Sequence, residues 1–141
     1  MITWNTDNAV THRWPLTTRI EGQELSLTVA PWDREAAIKI GERLTKLKVV
    51  NGERRFELIE GDEVLGTAYP VWGGFHLEFG DRKFGLFQDP ETPHRYAVSE
   101  GRATLGEIEI IPHTFAASRT TSTVSGVPTE VHAMTVALLV V

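Results

Sequence analysis

The chain ends in the sequence VPTEVHAMTVALLVV, residues 127–141, whose apolar character constrains the fold more than any other segment. Near its start are Pro128, which suits the first position of a helix, and Glu130, whose charge suits the positive end of the helix dipole. From Val131 onward almost every residue is apolar. The pattern predicts a helix that begins near Pro128 and has no polar stripe to face water.

A helix that is apolar all round must be enclosed on every side by the rest of the protein. Its strongly apolar part, residues 133–141, has nine residues, whereas a membrane-spanning helix needs about 20. We therefore expect no transmembrane segment. A buried strand rich in Val is the alternative, because periodicity does not separate a buried strand from a buried helix. In both cases residues 128–141 form a core segment, and its removal should unfold the protein.

Residues 54–111 contain short alternating apolar runs that are separated by Gly together with Asp or Glu. Such a pattern is typical of antiparallel strands joined by tight turns. We expect three hairpins there, which turn at Gly61, Gly80 and Gly101. Along the last strand, residues 107–110 alternate between Glu and Ile, so one face of that strand should be buried and the other wet.

The first third of the chain is less regular. Leu and Val alternate with polar residues over positions 25–29, as in a strand. For residues 33–47 we expect a helix or an irregular strand: Asp33 suits a helix cap, and Gly41 costs a helix interior about 1 kcal/mol. The apolar residues of that segment fall three or four positions apart, at Ala37, Ile40, Leu44 and Leu47. The Ser- and Thr-rich residues 118–125 predict a final strand or a loop that leads to the C-terminal segment.

A meander of strands followed by one wholly apolar helix is an unusual order, because an antiparallel barrel encloses a helix only if its lumen is wide and apolar. Three stretches carry a resemblance to a known family. Residues 56–66 have a strand, an acidic turn, a strand and a Gly; residues 96–110 have a Tyr, a turn, Leu-Gly and Glu-Ile; and residues 134–141 are the apolar end. In these features the chain resembles the tubby C-terminal-like superfamily, which includes the LURP-one-related proteins and the phospholipid scramblases.

Length and composition indicate one domain over residues 1–141. The resemblance implies that this domain has an all-β fold, mainly an antiparallel meander or barrel, with a single buried hydrophobic C-terminal helix. It also implies a cytosolic, non-enzymatic domain, which in some members of the family docks on anionic membrane lipids. The chain shows no match to the lipid-contacting motif of the tubby proteins. No functional residue is therefore transferred from the family.

Composition and charge exclude several classes of function. The chain has 141 residues, 41% of them hydrophobic, which is typical of one soluble globular domain. Its net charge of −5 argues against nucleic-acid binding, because neutralising phosphates needs a positive face. With no Cys there is no disulfide, thiolate metal site or catalytic thiol. Residues 1–8 lack the basic start and apolar run of a secretion signal, so we expect a cytoplasmic protein.

Positive charge is concentrated between residues 39 and 55. This segment has a local charge of +4, so the rest of the chain carries −9. A patch of this size suits phosphate headgroups, at about 1 kcal/mol per Lys or Arg near an anionic surface. The alternative is a solvated face that pairs with the acidic residues between Glu57 and Glu63. The candidate binding residues are Lys39, Arg43, Lys46, Lys48, Arg54 and Arg55.

Signals for chemistry are weak. The five His residues are His12, His76, His94, His113 and His132, and their spacing forms no paired ligand motif. We therefore expect no metal and no cofactor, and a core or rim role with a hydrogen bond for His132. No Ser lies in a nucleophile elbow, so we expect no enzyme. The four Trp residues are expected mainly in the core, although an exposed one would anchor a partner.

The sequence thus predicts a non-catalytic binding module that docks on anionic phospholipid or on a protein partner through the basic segment. The alternative is a small-ligand-binding, calycin-like barrel or a pocket enzyme, with His76 and Glu78 as its polar pair. A calycin-like barrel needs a hollow interior, so the two hypotheses differ in what fills the barrel. The oligomeric state is left open.

Overall fold

The computed structural model describes residues 1–6, 14–30, 34–50, 54–111 and 119–140. Within these ranges the chain forms twelve strands followed by one helix. Their bounds are β1 Ile2–Thr6, β2 Trp14–Ile20, β3 Gln23–Ala30, β4 Glu35–Ile40, β5 Arg43–Val49, β6 Phe56–Glu60, β7 Glu63–Val71, β8 Gly74–Phe79, β9 Arg82–Gln88, β10 Arg95–Glu100, β11 Ala103–Ile111, β12 Arg119–Ser122 and α1 Thr129–Val140.

The strands form one closed antiparallel barrel. Each strand pairs with its neighbours in the chain, and β1 closes the barrel by pairing with β12, with Trp4 opposite Thr120. The predicted antiparallel barrel is therefore confirmed, and it closes within a single chain. Because side chains alternate across a strand, each strand sends every second residue into the interior.

The two ends of the barrel differ. At one end, which we call the entry end, five pairs of strands are joined by turns of two residues each. Gly61 and Gly101 in these turns both have φ of 61°, a left-handed conformation that suits glycine. The chain also enters α1 at this end. The opposite end, the exit end, includes the β7–β8 turn and the last residues of α1.

Helix α1 occupies the barrel interior. Every residue from Val131 to Leu138 is buried, and the helix packs against β3 and β4. The C-terminal segment is thus a helix rather than a strand, and its lack of a polar stripe follows from its enclosure. Inward side chains of the strands complete the core, including Leu27, Ile38, Leu58 and Ile108.

The helix considered for residues 33–47 is wrong where the chain is described. Ala36, Ile38 and Ile40 are buried and alternate with exposed positions, as in a half-buried strand. Gly41, with φ of 61°, forms the turn between β4 and β5 rather than a helix interior. Leu44, counted in the apolar stripe of the helix, is 69% exposed. Asp33 lies outside the described residues.

The other sequence predictions mostly hold. The three hairpins turn at Gly61, Gly80 and Gly101 as expected, and the Ser- and Thr-rich stretch supplies β12. Ile108 is buried while Glu107 is exposed, as the alternation predicts. Within the described part of the chain, no helix has the length and apolar character needed to cross a membrane.

Candidate functional site

The structure divides the predicted basic segment among three places. Lys39, Lys46 and Lys48 point outward from β4 and β5, because buried residues alternate with them along both strands. Arg43 stands at the entry end, at the start of β5. Arg54 and Arg55 lie at the exit end, just before β6. The basic residues that are close in sequence therefore do not form one surface. Successive side chains of a strand point to opposite faces, and the two ends of a strand lie at opposite ends of the barrel.

The three lysines form what we call the lysine face, together with apolar neighbours. Lys39 pairs across the strands with Leu44, and Lys46 lies between Ala37 and Ile59. Apart from Lys39, these residues border a shallow groove of about 460 Å³ that also includes Lys48. The lysine face is thus amphipathic.

Neighbouring acidic residues offset part of the positive charge of the lysine face. Lys46 Nζ lies 3.1 Å from Glu35 Oε2. Lys48 is in register with both Glu35 and Glu57, one on each neighbouring strand. Among the described residues, the lysine face has one ion pair, Lys46 with Glu35, and this partner lies outside residues 57–63. The pairing that the alternative predicts occurs at the two arginines, Arg43 with Glu60 and Arg55 with Glu57.

Arg43 is held in an ion-pair network rather than presented to a ligand. It bonds to Glu60 on β6, at 2.8 Å, and to Glu130 in the first turn of α1. The hydrogen bonds with Glu130 and Glu60 raise the pKa of the Arg43 guanidinium. Arg43 thus ties the start of the helix to the barrel wall.

The exit end gathers arginines from two separate connections. Phe56 on β6 pairs with Ala68 on β7, so the chain that leads into β6 and the last residues of β7 lie at the same end of two neighbouring strands. The segment that leads into β6 contains Arg54, which is exposed, and Arg55, whose Nη2 atom lies 3.8 Å from Glu57 Oε2. Arg34, just before β4, lies over the Phe56 ring, with its Cζ atom 5.4 Å from the ring centroid.

The last residues of β7 lead to the most exposed aromatic residue described. Trp72 is 98% exposed at the tip of the β7–β8 hairpin, and the adjoining Val71 is 37% exposed. Gly73, with φ of 82°, completes the turn and leaves the indole projecting beyond the strands. By contrast, Trp4 is fully buried. The side chain of Trp14 and the whole of Trp32 lie outside the described residues.

We call the surface formed by Arg34, Arg54, Arg55, Val71 and Trp72 the exit rim. Its members come from three connections that are consecutive around the barrel but distant in sequence. Guanidinium groups match phosphate oxygens in geometry, and an indole has an apolar body with a polar N–H. The arrangement is suited to a surface that is anionic outside and apolar beneath.

The residues considered for chemistry do not converge. His76 and Glu78 are exposed on the outer face of β8. The His76 ring contacts the Phe87 ring edge-on, and Glu78 lies opposite Lys83 in the register of β8 and β9. No group of three potential metal ligands occurs among the residues that the structure describes. His12 and His113 lie outside those residues.

His132 is a buried core residue with a hydrogen bond, as expected. Its Nε2 atom lies 2.8 Å from Ser122 Oγ, and its ring meets Trp4 edge-on at 6.2 Å. Burial lowers the pKa of His132 from 6.5 to about 4, so the imidazole is neutral at physiological pH. The side chains of α1 occupy the volume where a calycin-like barrel would hold its ligand.

Comparisons with protein-family models, with curated protein sequences and with solved structures find no match for this chain.

Proposed function

We propose that this protein is a non-catalytic binding module that docks on an anionic phospholipid surface through the exit rim. The observation that carries the proposal is the 98% exposure of Trp72 on a hairpin tip at the same end of the barrel as Arg54 and Arg55. A large aromatic side chain held fully in water loses the benefit of burial, at about 25 cal/mol per Å² of apolar area. Contact with a partner surface recovers that free energy.

The chemistry of the exit rim favours a membrane as that partner. Trp is enriched at membrane–water interfaces, where its ring sits at the level of the headgroups. Each Arg near an anionic surface adds about 1 kcal/mol of attraction. Among the described residues, Arg34 and Arg54 have no carboxylate within ion-pair distance. Since the whole chain carries −5, the rim must also orient the molecule toward the bilayer.

The lysine face plays a secondary part in this proposal. Lys39 and Lys48 contribute attraction at distances within the Debye length of about 10 Å at 0.1 M salt. Membership of the tubby-like superfamily and a cytoplasmic location belong to the same proposal. A closed barrel around an apolar C-terminal helix supports the family assignment, which rests on the resemblance in sequence.

Vesicle flotation tests the proposal. We expect the protein to float with phosphatidylcholine vesicles that contain phosphatidylserine, more strongly at about 50 mM than at 200 mM salt, and not with phosphatidylcholine alone. Trp72→Ala should lower flotation by removing the apolar anchor. Arg54→Glu should lower it by charge reversal, and this variant avoids the like-charge contact that Arg55→Glu would create beside Glu57.

Arg102→Glu is the matched control, because Arg102 is an exposed arginine in a turn at the entry end. It changes the net charge as Arg54→Glu does, so equal losses for both variants would assign binding to net charge and refute the exit rim. Absence of flotation under every condition would refute membrane docking and leave a protein as the partner of the rim.

A further inference from the structure

A cavity of about 390 Å³ lies at the entry end, opposite the exit rim. Its walls come from the tip of the β2–β3 hairpin, the start of β1 and the chain that leads into α1. Its volume is within the range of roughly 300–1,000 Å³ typical of small-molecule sites. The apolar part of the lining is Ile2, Ile20, Val124 and Val127.

Two opposite charges stand at this cavity, Arg19 and Glu21, and both are exposed. Neither forms an ion pair or side-chain hydrogen bond with the described part of the chain. Two arginines at the entry end are engaged elsewhere: Arg43 bonds to Glu60 and Glu130, and Arg82 bonds to Glu100 and to the Gly126 carbonyl. Arg19, which lies opposite Glu24 in the strand register, and Glu21 are left available to a ligand.

The inner wall of the cavity provides further polar groups. His132, only 3% exposed, lines it, and its neutral imidazole is oriented by Ser122. The His132 backbone N–H donates to the Pro128 carbonyl at 3.1 Å and closes the first turn of α1. Pro128 has no side-chain acceptor, so the first backbone N–H groups of the helix lack a capping partner in the described chain. The helix dipole places partial positive charge at these N–H groups, and the carboxylate of Glu130 in the same turn is paired with Arg43.

We propose that this cavity binds a free α-amino acid with an apolar side chain, of about the size of leucine. The carboxylate would lie against Arg19 and the first turn of α1, and the ammonium group against Glu21. The side chain would contact Ile2, Ile20 and Val127. A zwitterion satisfies both charges at once, whereas a simple carboxylate leaves Glu21 unpaired and a simple amine leaves Arg19 unpaired.

Isothermal titration and ¹H–¹⁵N spectra with L-leucine test this proposal on the full chain. We expect leucine to bind, with shifts concentrated at Ile20, Val127 and Thr129. Isocaproate, which lacks the amine, and isoamylamine, which lacks the carboxylate, should each bind at least about tenfold more weakly, the effect of one charge-assisted hydrogen bond.

Variants locate the site. Arg19→Gln and Glu21→Gln should each raise the Kd for leucine at least about tenfold, and both positions are exposed, so the fold should survive. Arg102→Gln, in another turn at the same end but outside the cavity lining, should leave the Kd unchanged. The proposal is overturned if leucine produces no heat and no shifts up to about 10 mM. Shifts that map elsewhere, or unaltered binding by Arg19→Gln and Glu21→Gln, also overturn it.

Discussion

Burial of His132 should make the protein less stable in mild acid. The imidazole has a pKa of about 4 in the folded chain, against an ordinary value of 6.5, because burial disfavours its charged form. Above pH 6.5 the residue is neutral in both states, and its contribution to stability is fully present. Between pH 6.5 and 4 the unfolded chain binds a proton that the folded chain does not. The free energy of unfolding therefore falls by about 3 kcal/mol over this window.

The matched comparison is His132→Gln, whose amide reaches toward Ser122 without titrating. Carboxylates such as Glu100, whose pKa Arg82 lowers through hydrogen bonds, titrate equally in both proteins and cancel in the difference. Urea unfolding from pH 7 to 4, followed by tryptophan fluorescence, gives the free energy of unfolding of each. We expect the difference between the two proteins to change by about 3 kcal/mol in favour of the variant. A difference that stays constant with pH would refute the burial argument.

Three other substitutions test the packing of the barrel, each by urea unfolding. Met134→Ala should cost about 2–5 kcal/mol, since Met134 is 1% exposed inside the barrel; a cost below about 1 kcal/mol would contradict an enclosed helix. Gly74→Ala should be more destabilising than Gly61→Ala, because a Cβ at Gly74 collides with the backbone carbonyl oxygen of Leu86. A Cβ at Gly61 has open space around it, and the cost there is only the strain of a left-handed φ. The reverse order would contradict the close approach of the Gly74 and Leu86 backbones. Arg43→Ala should cost at most about 1 kcal/mol, because its ion pairs are partly exposed, and a larger loss would mean that the tie to Glu130 anchors the helix.

The sequence predicted the enclosed helix because a helix that is apolar on every side is stable in water only when other elements surround it. It left β4 and β5 undecided between a helix and an irregular strand because Ala37, Ile40, Leu44 and Leu47 imitate the spacing of a helix face, although Leu44 points into water. A signal for these strands was present. The turn glycines of the entry end recur about every twenty residues along the chain, at Gly22, Gly41, Gly61, Gly80 and Gly101. That spacing marks one strand pair after another and includes the β4–β5 turn.

The candidate site was less predictable than the fold. A run of basic residues in sequence predicts a patch only if the segment keeps one face, and here β5 sends Lys46 and Lys48 outward while Arg43 turns to the helix. The exit rim joins residues that no linear pattern connects, since Arg34 and Trp72 come to the same end of the barrel only through the order of its strands.

The two ends of the barrel carry different constraints, and this difference favours the exit end as the docking surface. At the entry end, Arg43 and Arg82 fasten the chain around the start of α1 to the strands, so their charges already serve the fold. At the exit end, Trp72 makes no ring contact with the described core. The contacts of the described chain therefore give no reason for its exposure, and the docking surface that we propose lies at this end.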